Sequence, residues 1–122
     1  MKKLENLYIR EYNKKKPLDD HLIFIFKNCP LLKSLNLQNV NVTDAALIEA
    51  INCKNLQKLY INNIQMNHFE SNGLTDKSIK SILNSKTKIN SITIRGPNSI
   101  TIKNEKAKTK DGNLIEIYVS KT

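Results

Sequence analysis

One short apolar pattern recurs four times along the chain and constrains the fold more than any other feature. The pattern is Leu, two residues, Leu, one residue, then Leu or Ile, and isoleucines take all three places in the last copy. The copies begin at Leu4, Leu32, Leu56 and Ile89, so the steps between them are 28, 24 and 33 residues. The first and third steps contain polar insertions with Pro or Gly, as loops do. Without insertions of 4 and 8 residues the steps become 24, 24 and 25, which predicts an internal repeat.

Each repeat also carries the pattern of a helix between one apolar motif and the next. An aspartate opens this segment nine residues before its end: Asp20 to Cys29, Asp44 to Cys53 and Asp76 to Ser85. Apolar residues follow each aspartate at the third and sixth positions, namely Ile23 and Phe26, Leu47 and Ala50, Ile79 and Ile82. A spacing of three is one face of a helix. We therefore expect helices to begin near the three aspartates, where Asp and Thr oxygens can accept the free N–H groups of the first turn.

The two patterns together predict the fold class. A unit of one strand, a turn, a helix and a return cannot bury its apolar surface alone, so the units must stack. We expect an α/β fold: a short right-handed leucine-rich repeat solenoid of about four parallel strands and three helices, over residues 1–95.

The C-terminal residues 96–122 break this repeat. Alternating apolar residues occur at Ile100 and Ile102, and again at Ile115, Ile117 and Val119. Between them stands Asp111-Gly112, which is typical of a hairpin turn. We expect a β-hairpin that caps the open end of the solenoid and belongs to the same domain.

The best-preserved repeat gives a resemblance to a known family. It contains Val42-Thr43-Asp44, Leu47, Cys53, Leu56, Leu59 and Ile61, with weaker copies on either side over roughly residues 4–94. This pattern resembles the cysteine-containing leucine-rich repeats of F-box/leucine-rich-repeat ubiquitin-ligase adaptors and antagonist-of-mitotic-exit-type proteins. The resemblance implies a non-catalytic protein-interaction module, and it implies substrate recognition in ubiquitin ligation as one such role.

The outward residues of the strands are the first candidate binding surface, since alternate residues of a strand point away from the core. In a solenoid they line the concave face. The residues expected to bind a partner there are Tyr8, Arg10, Asn36, Lys58, Tyr60 and Arg95. Tyr and Arg are enriched at binding hot spots. None of the outward residues of the four expected strands is acidic, although the chain has 11 acidic residues. With a formal net charge of +9, this predicts a protein partner with an acidic surface.

Two other surfaces lead to different functions. In the segment HLIFIF, we expect Ile23 and Phe26 to face the core, so Phe24 and Ile25 would form an exposed pair. Such a pair needs a cover, either a partner in a larger complex or the N-terminal part of the chain near Tyr12 to Pro17.

Lysines at positions 103, 106, 108 and 110 would decorate the hairpin. With the net charge they allow a subunit associated with RNA or a ribonucleoprotein. Edge lysines also prevent aggregation between strands, and a composition rich in Lys and Asn is also compatible with compositional bias alone.

The sequence gives no indication of catalysis, a cofactor, a metal site or a small-molecule substrate. His21 and His68 have no partner at metal-ligand or nucleophile spacing. Cys29 and Cys53 occupy equivalent places in neighbouring repeats, and we expect them to be buried, reduced and packed as small apolar side chains. No apolar run reaches about 18 residues, and no signal-peptide core is present. We therefore expect an intracellular protein, cytoplasmic or nuclear, without membrane association.

Overall fold

The computed structural model describes residues 3–10, 18–63, 74–96, 100–102 and 104–120. Its six strands are β1 Asn6–Arg10, β2 Ser34–Val40, β3 Lys58–Asn63, β4 Ser91–Arg95, β5 Glu105–Lys108 and β6 Leu114–Ser120. Its helices are α1 Asp19–Asn28, α2 Asp44–Leu47 and α3 Asp76–Leu83, and a 3-10 helix, Ile48–Asn52, continues α2. In this part of the chain no helix has the length and apolar character needed to cross a membrane.

All six strands form one sheet in the order β1-β2-β3-β4-β6-β5. The pairs from β1 to β4 and the pair β4–β6 are parallel, and only β5 runs antiparallel, at the edge of the sheet. This order follows from the chain, because each of the first three strands is followed by a helix that returns it to the start of the next. The predicted α/β class, with a largely parallel sheet and three helices, is confirmed.

The apolar pattern sets the register of the sheet. Equivalent apolar positions from the five parallel strands pair in one row: Leu7, Leu35, Leu59, Ile92 and Ile117. A second row, two residues further along, contains Ile9, Leu37, Ile61, Ile94 and Val119. These residues join the buried side chains of the helices in a single apolar core. One face of the sheet is therefore covered by helices, and the other face is left to polar residues.

Helix α1 begins at Asp19, one residue before the expected start, and this changes which of its residues are buried. Leu22 and Ile25 are buried with Phe26, whereas Ile23 is only partly buried. The expected start at Asp20 follows from counting back nine residues from Cys29. This count is wrong for α1 because it assumes that the helical segments of all repeats have the same geometry. Helix α1 is a continuous α-helix of 10 residues, whereas α2 changes to a 3-10 helix, which has about 3.0 residues per turn instead of 3.6.

The helix-opening aspartates bind the following repeat rather than their own helix. One carboxylate oxygen of each accepts a backbone N–H, from Thr43 to Asp19 (3.0 Å), Thr75 to Asp44 (2.9 Å) and Thr101 to Asp76 (2.7 Å). The other oxygen accepts the hydroxyl of the same threonine in all three cases. The expected side-chain cap is present only in α3, where the Thr75 hydroxyl accepts from the N–H of Lys77. The aspartates thus connect successive units through hydrogen bonds, while the apolar surfaces of these units are buried in the core.

The C-terminal hairpin exists, but its composition differs from the prediction. Gly112 has a φ of 83° and occupies the turn, as expected. The first strand, however, is Glu105–Lys108 and not the segment around Ile100 and Ile102. Ile100 is buried and directly precedes Thr101. It therefore corresponds to the buried residues that directly precede Thr43 and Thr75.

The second strand of the hairpin, β6, corrects the predicted number of parallel strands. It pairs in register with β4, so the described residues form five parallel strands rather than about four. The signal is present in the sequence, because Leu114, Ile117 and Val119 form a fifth copy of the apolar pattern that begins 25 residues after Ile89. The interpretation of residues 96–122 as a cap alone therefore missed a strand of the main sheet.

Candidate protein-binding face

The face of the sheet opposite the helices is built from the residues that alternate with the core positions. We call it the polar sheet face. It consists of Asn6, Tyr8, Arg10, Ser34, Asn36, Gln38, Lys58, Tyr60, Asn62, Ser91, Thr93, Arg95, Glu116, Tyr118 and Ser120. All of them are exposed or half-buried, whereas most of the apolar residues between them are fully buried. The structure therefore brings six of the predicted site residues to one surface: Tyr8, Arg10, Asn36, Lys58, Tyr60 and Arg95.

A row of tyrosines crosses the middle of this face. The register pairs Tyr8 with Asn36, Asn36 with Tyr60, Tyr60 with Thr93, and Thr93 with Tyr118. A tyrosine therefore stands on every second strand, with a shorter polar residue between. Tyr8 is 58% exposed and Tyr118 is 47% exposed. Tyr118 was missed because β6 was assigned to a cap and not to the parallel sheet.

Basic side chains lie on both sides of the tyrosine row. Arg10 and Arg95 are the last residues of β1 and β4, and Lys58 is the first residue of β3. All three are exposed. Because the strands are parallel and in register, the two arginines flank one side of the row and the lysine flanks the other.

The fifth parallel strand adds a carboxylate that the four-strand expectation did not include. Glu116 pairs with Ser91 on one side and with Lys106 of β5 on the other. Its Oε2 accepts a hydrogen bond of 3.0 Å from the Tyr118 hydroxyl. This hydrogen bond, together with the negative charge of Glu116, raises the pKa of Tyr118 above its ordinary value. The polar sheet face is therefore not free of acid, and its negative group lies at one end.

A shallow depression of about 370 Å³ lies beside this carboxylate. It is lined by Lys58, Asn90, Ser91, Leu114 and Glu116. Lys58 and Glu116 stand on either side of Ser91, on the strands that neighbour β4. Leu114 is 51% exposed and gives the depression an apolar wall. The depression thus presents opposite charges and one apolar contact to whatever occupies it.

Amide side chains fix part of the surface between the first two tyrosines. The Nε2 of Gln38 donates to the Oδ1 of Asn36 at 2.8 Å, and the Nδ2 of Asn62 donates to Gln38 at 3.4 Å. Asn36 lies between Tyr8 and Tyr60 in the register, so its side chain is held in place before any partner arrives.

The other predicted surface is only half present. Phe24 is 56% exposed on α1, as predicted, but Ile25 is 7% exposed and belongs to the core. Ile25 is buried because α1 begins one residue early, which turns this side chain toward the sheet. No exposed Phe-Ile pair is formed. The N-terminal segment that was expected as a cover, Tyr12 to Pro17, lies outside the described residues.

Cys29 and Cys53 are buried and not bonded to each other, as expected. The Cys53 thiol contacts the backbone oxygen of Cys29 at 3.6 Å, which joins two neighbouring repeats. Burial and the neighbouring Cys29 raise the pKa of the Cys53 thiol. A raised pKa lowers the thiolate fraction at neutral pH, so this thiol is poorly suited to nucleophilic chemistry.

The described ranges contain no group of three His, Cys, Asp or Glu side chains that could hold a metal ion. His21 lies on α1, and His68 lies outside the described residues. No family model matches this chain, and neither a curated protein nor a solved structure matches it. The chemistry of the polar sheet face is therefore the basis on which a function can be inferred.

Proposed function

We propose that this chain is a non-catalytic protein-interaction module that binds an acidic segment of another protein on the polar sheet face. The row Tyr8, Tyr60 and Tyr118 is the observation that carries this proposal. Tyrosine supplies a large contact area and has few rotatable bonds to fix on binding. A row of such side chains on exposed strands is a surface suited to a protein ligand.

The basic side chains give the proposed partner its charge. Arg95 can hold a carboxylate through two parallel hydrogen bonds, and Lys58 adds a second positive charge across the row. Glu116 lies on the last of the parallel strands, at one end of the face, and stands opposite Lys106 of β5. The centre of the face is therefore positive, and an acidic segment is the complementary partner.

The rigidity of the surface favours binding of a specific segment. The tyrosines lie on strands that are hydrogen-bonded to both neighbours, apart from Tyr8 on the edge strand β1. Asn36 is held by Gln38. A surface that is ordered in advance loses little conformational entropy on binding, so more of the contact energy appears as affinity.

We also propose that the five parallel strands and their helices form a solenoid of the cysteine-containing leucine-rich repeat type. The in-register apolar rows and the recurring Asp–Thr contacts support this assignment. A second recurring contact agrees with it, since Asn55 and Asn113 each donate to a carbonyl of the preceding unit, at 2.8 and 2.7 Å. Substrate recognition for ubiquitin transfer is the role that the resemblance adds to this proposal.

An RNA-binding role is the alternative, and one observation favours it. Strand β5 places the exposed Lys106 and Lys108 beside the end of the tyrosine row, where they could contact phosphates while bases stack on the rings. Arg10, Lys58 and Arg95, however, are spread over both sides of the tyrosine row and do not line one groove that a phosphate backbone could follow. For this reason we favour the protein partner.

Affinity capture with charge-reversed variants tests the proposal. The double variant Lys58→Glu with Arg95→Glu reverses two charges of the polar sheet face. Its control, Lys54→Glu with Lys86→Glu, makes the same change in net charge at exposed positions outside the strands. Each tagged protein is used to capture partners from the native cell with and without RNase, and circular dichroism checks that both variants are folded.

We expect the native chain and the control to recover the same acidic protein after RNase, and the face variant to lose it. Equal capture by the two variants would refute the assignment of the face. A partner that disappears with RNase, and whose binding weakens steeply with salt, would favour the RNA alternative.

A further inference from the structure

We propose that the acidic segment binds as a polyproline II helix that crosses the strands along the tyrosine row. This inference rests on the proposed function, because it names the conformation and residue type of the partner of the same face. It is drawn from the spacing of Tyr8, Tyr60 and Tyr118.

The spacing of the tyrosines matches one turn of that helix. Neighbouring strands lie about 4.8 Å apart, so residues on every second strand are about 9.6 Å apart. A polyproline II helix rises about 3.1 Å per residue with three residues per turn, which gives about 9.3 Å per turn. A ligand that crosses the strands would therefore present the same side to each tyrosine in turn.

Other backbone conformations do not have this period. An extended β-strand returns to the same side every two residues, after about 6.6 Å. An α-helix has a pitch of about 5.4 Å. Only the polyproline II helix keeps its contacts in phase with the tyrosines over the whole row, from Tyr8 to Tyr118.

The residues between the tyrosines leave room for such a ligand. Asn36 and Thr93 are shorter than tyrosine and occupy the strands between, so each forms the floor of a gap. Two gaps, one over Asn36 and one over Thr93, would each receive the side chains of one ligand turn. Aromatic-lined gaps are the surfaces that proline-rich segments use in other proteins, because the ligand loses little entropy on binding.

The charges specify the third residue of each turn. Every third residue of a polyproline II helix lies along one side, so one residue type can be directed at the arginine side of the row. Arg95 lies there, two residues beyond Thr93 on β4. A ligand with an acidic residue at every third position would therefore place one carboxylate opposite this guanidinium, while prolines contact the rings. The inferred ligand is a short repeat of two prolines and one acidic residue.

Synthetic peptides test this inference directly. The probe is a fluorescein-labelled peptide with three repeats of Pro-Pro-Glu. One control, three repeats of Gly-Gly-Glu, keeps the charge and loses the preformed helix. A second control, three repeats of Pro-Pro-Lys, keeps the helix and reverses the charge. A labelled oligouridine of nine nucleotides represents RNA. Fluorescence anisotropy with the full chain, at peptide and protein concentrations up to about 1 mM, measures binding.

The variants then assign the contact. Tyr60→Ala removes the ring that borders both gaps, and we expect it to weaken binding of the Pro-Pro-Glu peptide at least about tenfold, as for a central hot spot. Tyr60→Phe keeps the ring and should stay within about threefold of the native chain. Phe24→Ser, on the helical side, should leave binding unchanged and controls for loss of an exposed aromatic residue.

The outcomes separate this inference from the proposed function. Binding of Pro-Pro-Glu, with at least about tenfold weaker binding of both control peptides, would support it. Equal or tighter binding of Gly-Gly-Glu would overturn the inference and leave the acidic-partner proposal standing. Binding of oligouridine alone would overturn both. Absence of binding to any probe, while affinity capture succeeds, would overturn the inference only, as would Tyr60→Ala binding like the native chain.

Discussion

Replacement of Asp44 by alanine tests whether the aspartates hold successive repeats together. The Asp44 carboxylate accepts the backbone N–H of Thr75 at 2.9 Å, and it also accepts the hydroxyl groups of Thr75 and Ser78. Ser78 is fully buried, whereas Thr75 is half-buried. In Asp44→Ala these three donors lose their acceptor, and water can reach only those of Thr75.

The expected loss of stability follows from the burial of each donor. A buried donor left without an acceptor costs about 1–3 kcal/mol, which applies to Ser78. The partly accessible donors of Thr75 add about 1 kcal/mol, since water replaces part of the lost bonding. We therefore expect Asp44→Ala to lower the free energy of unfolding by about 3 kcal/mol. This is a large part of the roughly 5–15 kcal/mol that stabilises a typical domain.

Urea unfolding at pH 7, followed by circular dichroism, measures this loss. With a slope of about 2 kcal/mol per M for a small domain, the midpoint should fall by about 1.5 M. The matched control is Asp20→Ala, which removes an exposed carboxylate near the start of α1 and should cost no more than about 0.5 kcal/mol. Equal effects of Asp44→Ala and Asp20→Ala would refute the reasoning.

A double-mutant cycle identifies the contact responsible. Ser78→Ala should be destabilising in the native chain but nearly neutral in the Asp44→Ala background, because the hydroxyl has already lost its partner. Additive effects of the two substitutions would show that Asp44 acts through some other contact.

Three further predictions concern the core, pH and the thiols. Leu59→Ala should lower the free energy of unfolding by about 2–5 kcal/mol, since Leu59 is 2% exposed. Tyr60→Phe, on the opposite face of β3, should lower it by less than about 1 kcal/mol. Equal losses would mean that the two faces of β3 are exchanged. Burial by itself would raise the pKa of the Asp76 carboxyl, but hydrogen bonds from Thr101 and Ile102 and the charge of Lys80 outweigh it and hold that pKa below its ordinary value. The stability difference between the native chain and Asp76→Asn should therefore be fully present above about pH 5 and shrink as the pH falls below about 4. Thermal unfolding of both proteins at several pH values measures this difference. A difference that does not change with pH would refute the prediction. Cys29 and Cys53 should react with a thiol reagent only when the protein opens, so labelling at the rate of a free thiol would contradict their burial.

The sequence alone was sufficient for the parallel sheet and for the two faces of its strands. The apolar pattern at Leu32, Leu56 and Ile89 places equivalent residues one unit apart, and the period-two alternation of a strand leaves only one choice of inward face. Tyr60, Lys58 and Arg95 were assigned to the outer face on this basis, and they lie there. Such local patterns can be counted along the chain without knowledge of contacts.

The phase of α1 could not be determined from the same counting. The number of residues between the start of a helix and the following cysteine depends on whether the intervening turns are α-helical or 3-10. The sequence does not specify which of the two forms. The tertiary contact between Asp19 and Thr43 decides it, because this contact sets where α1 begins relative to the next unit. For this reason Ile25 is buried, and Phe24 alone is exposed of the pair expected to bind a partner.

Only the tertiary structure decided how the polar sheet face ends. Ile115, Ile117 and Val119 predict one arm of a hairpin, because the Asp111-Gly112 turn is a strong local signal. The fifth copy of the apolar pattern, at Leu114, Ile117 and Val119, does not by itself show that this strand also pairs with β4. In the folded chain β6 pairs on both sides, antiparallel to β5 and parallel to β4. This pairing brings Tyr118 and Glu116 onto the face. The repeat in the sequence determined the strands and their inward sides, whereas contacts between strands distant in sequence determined which side chains complete the binding surface.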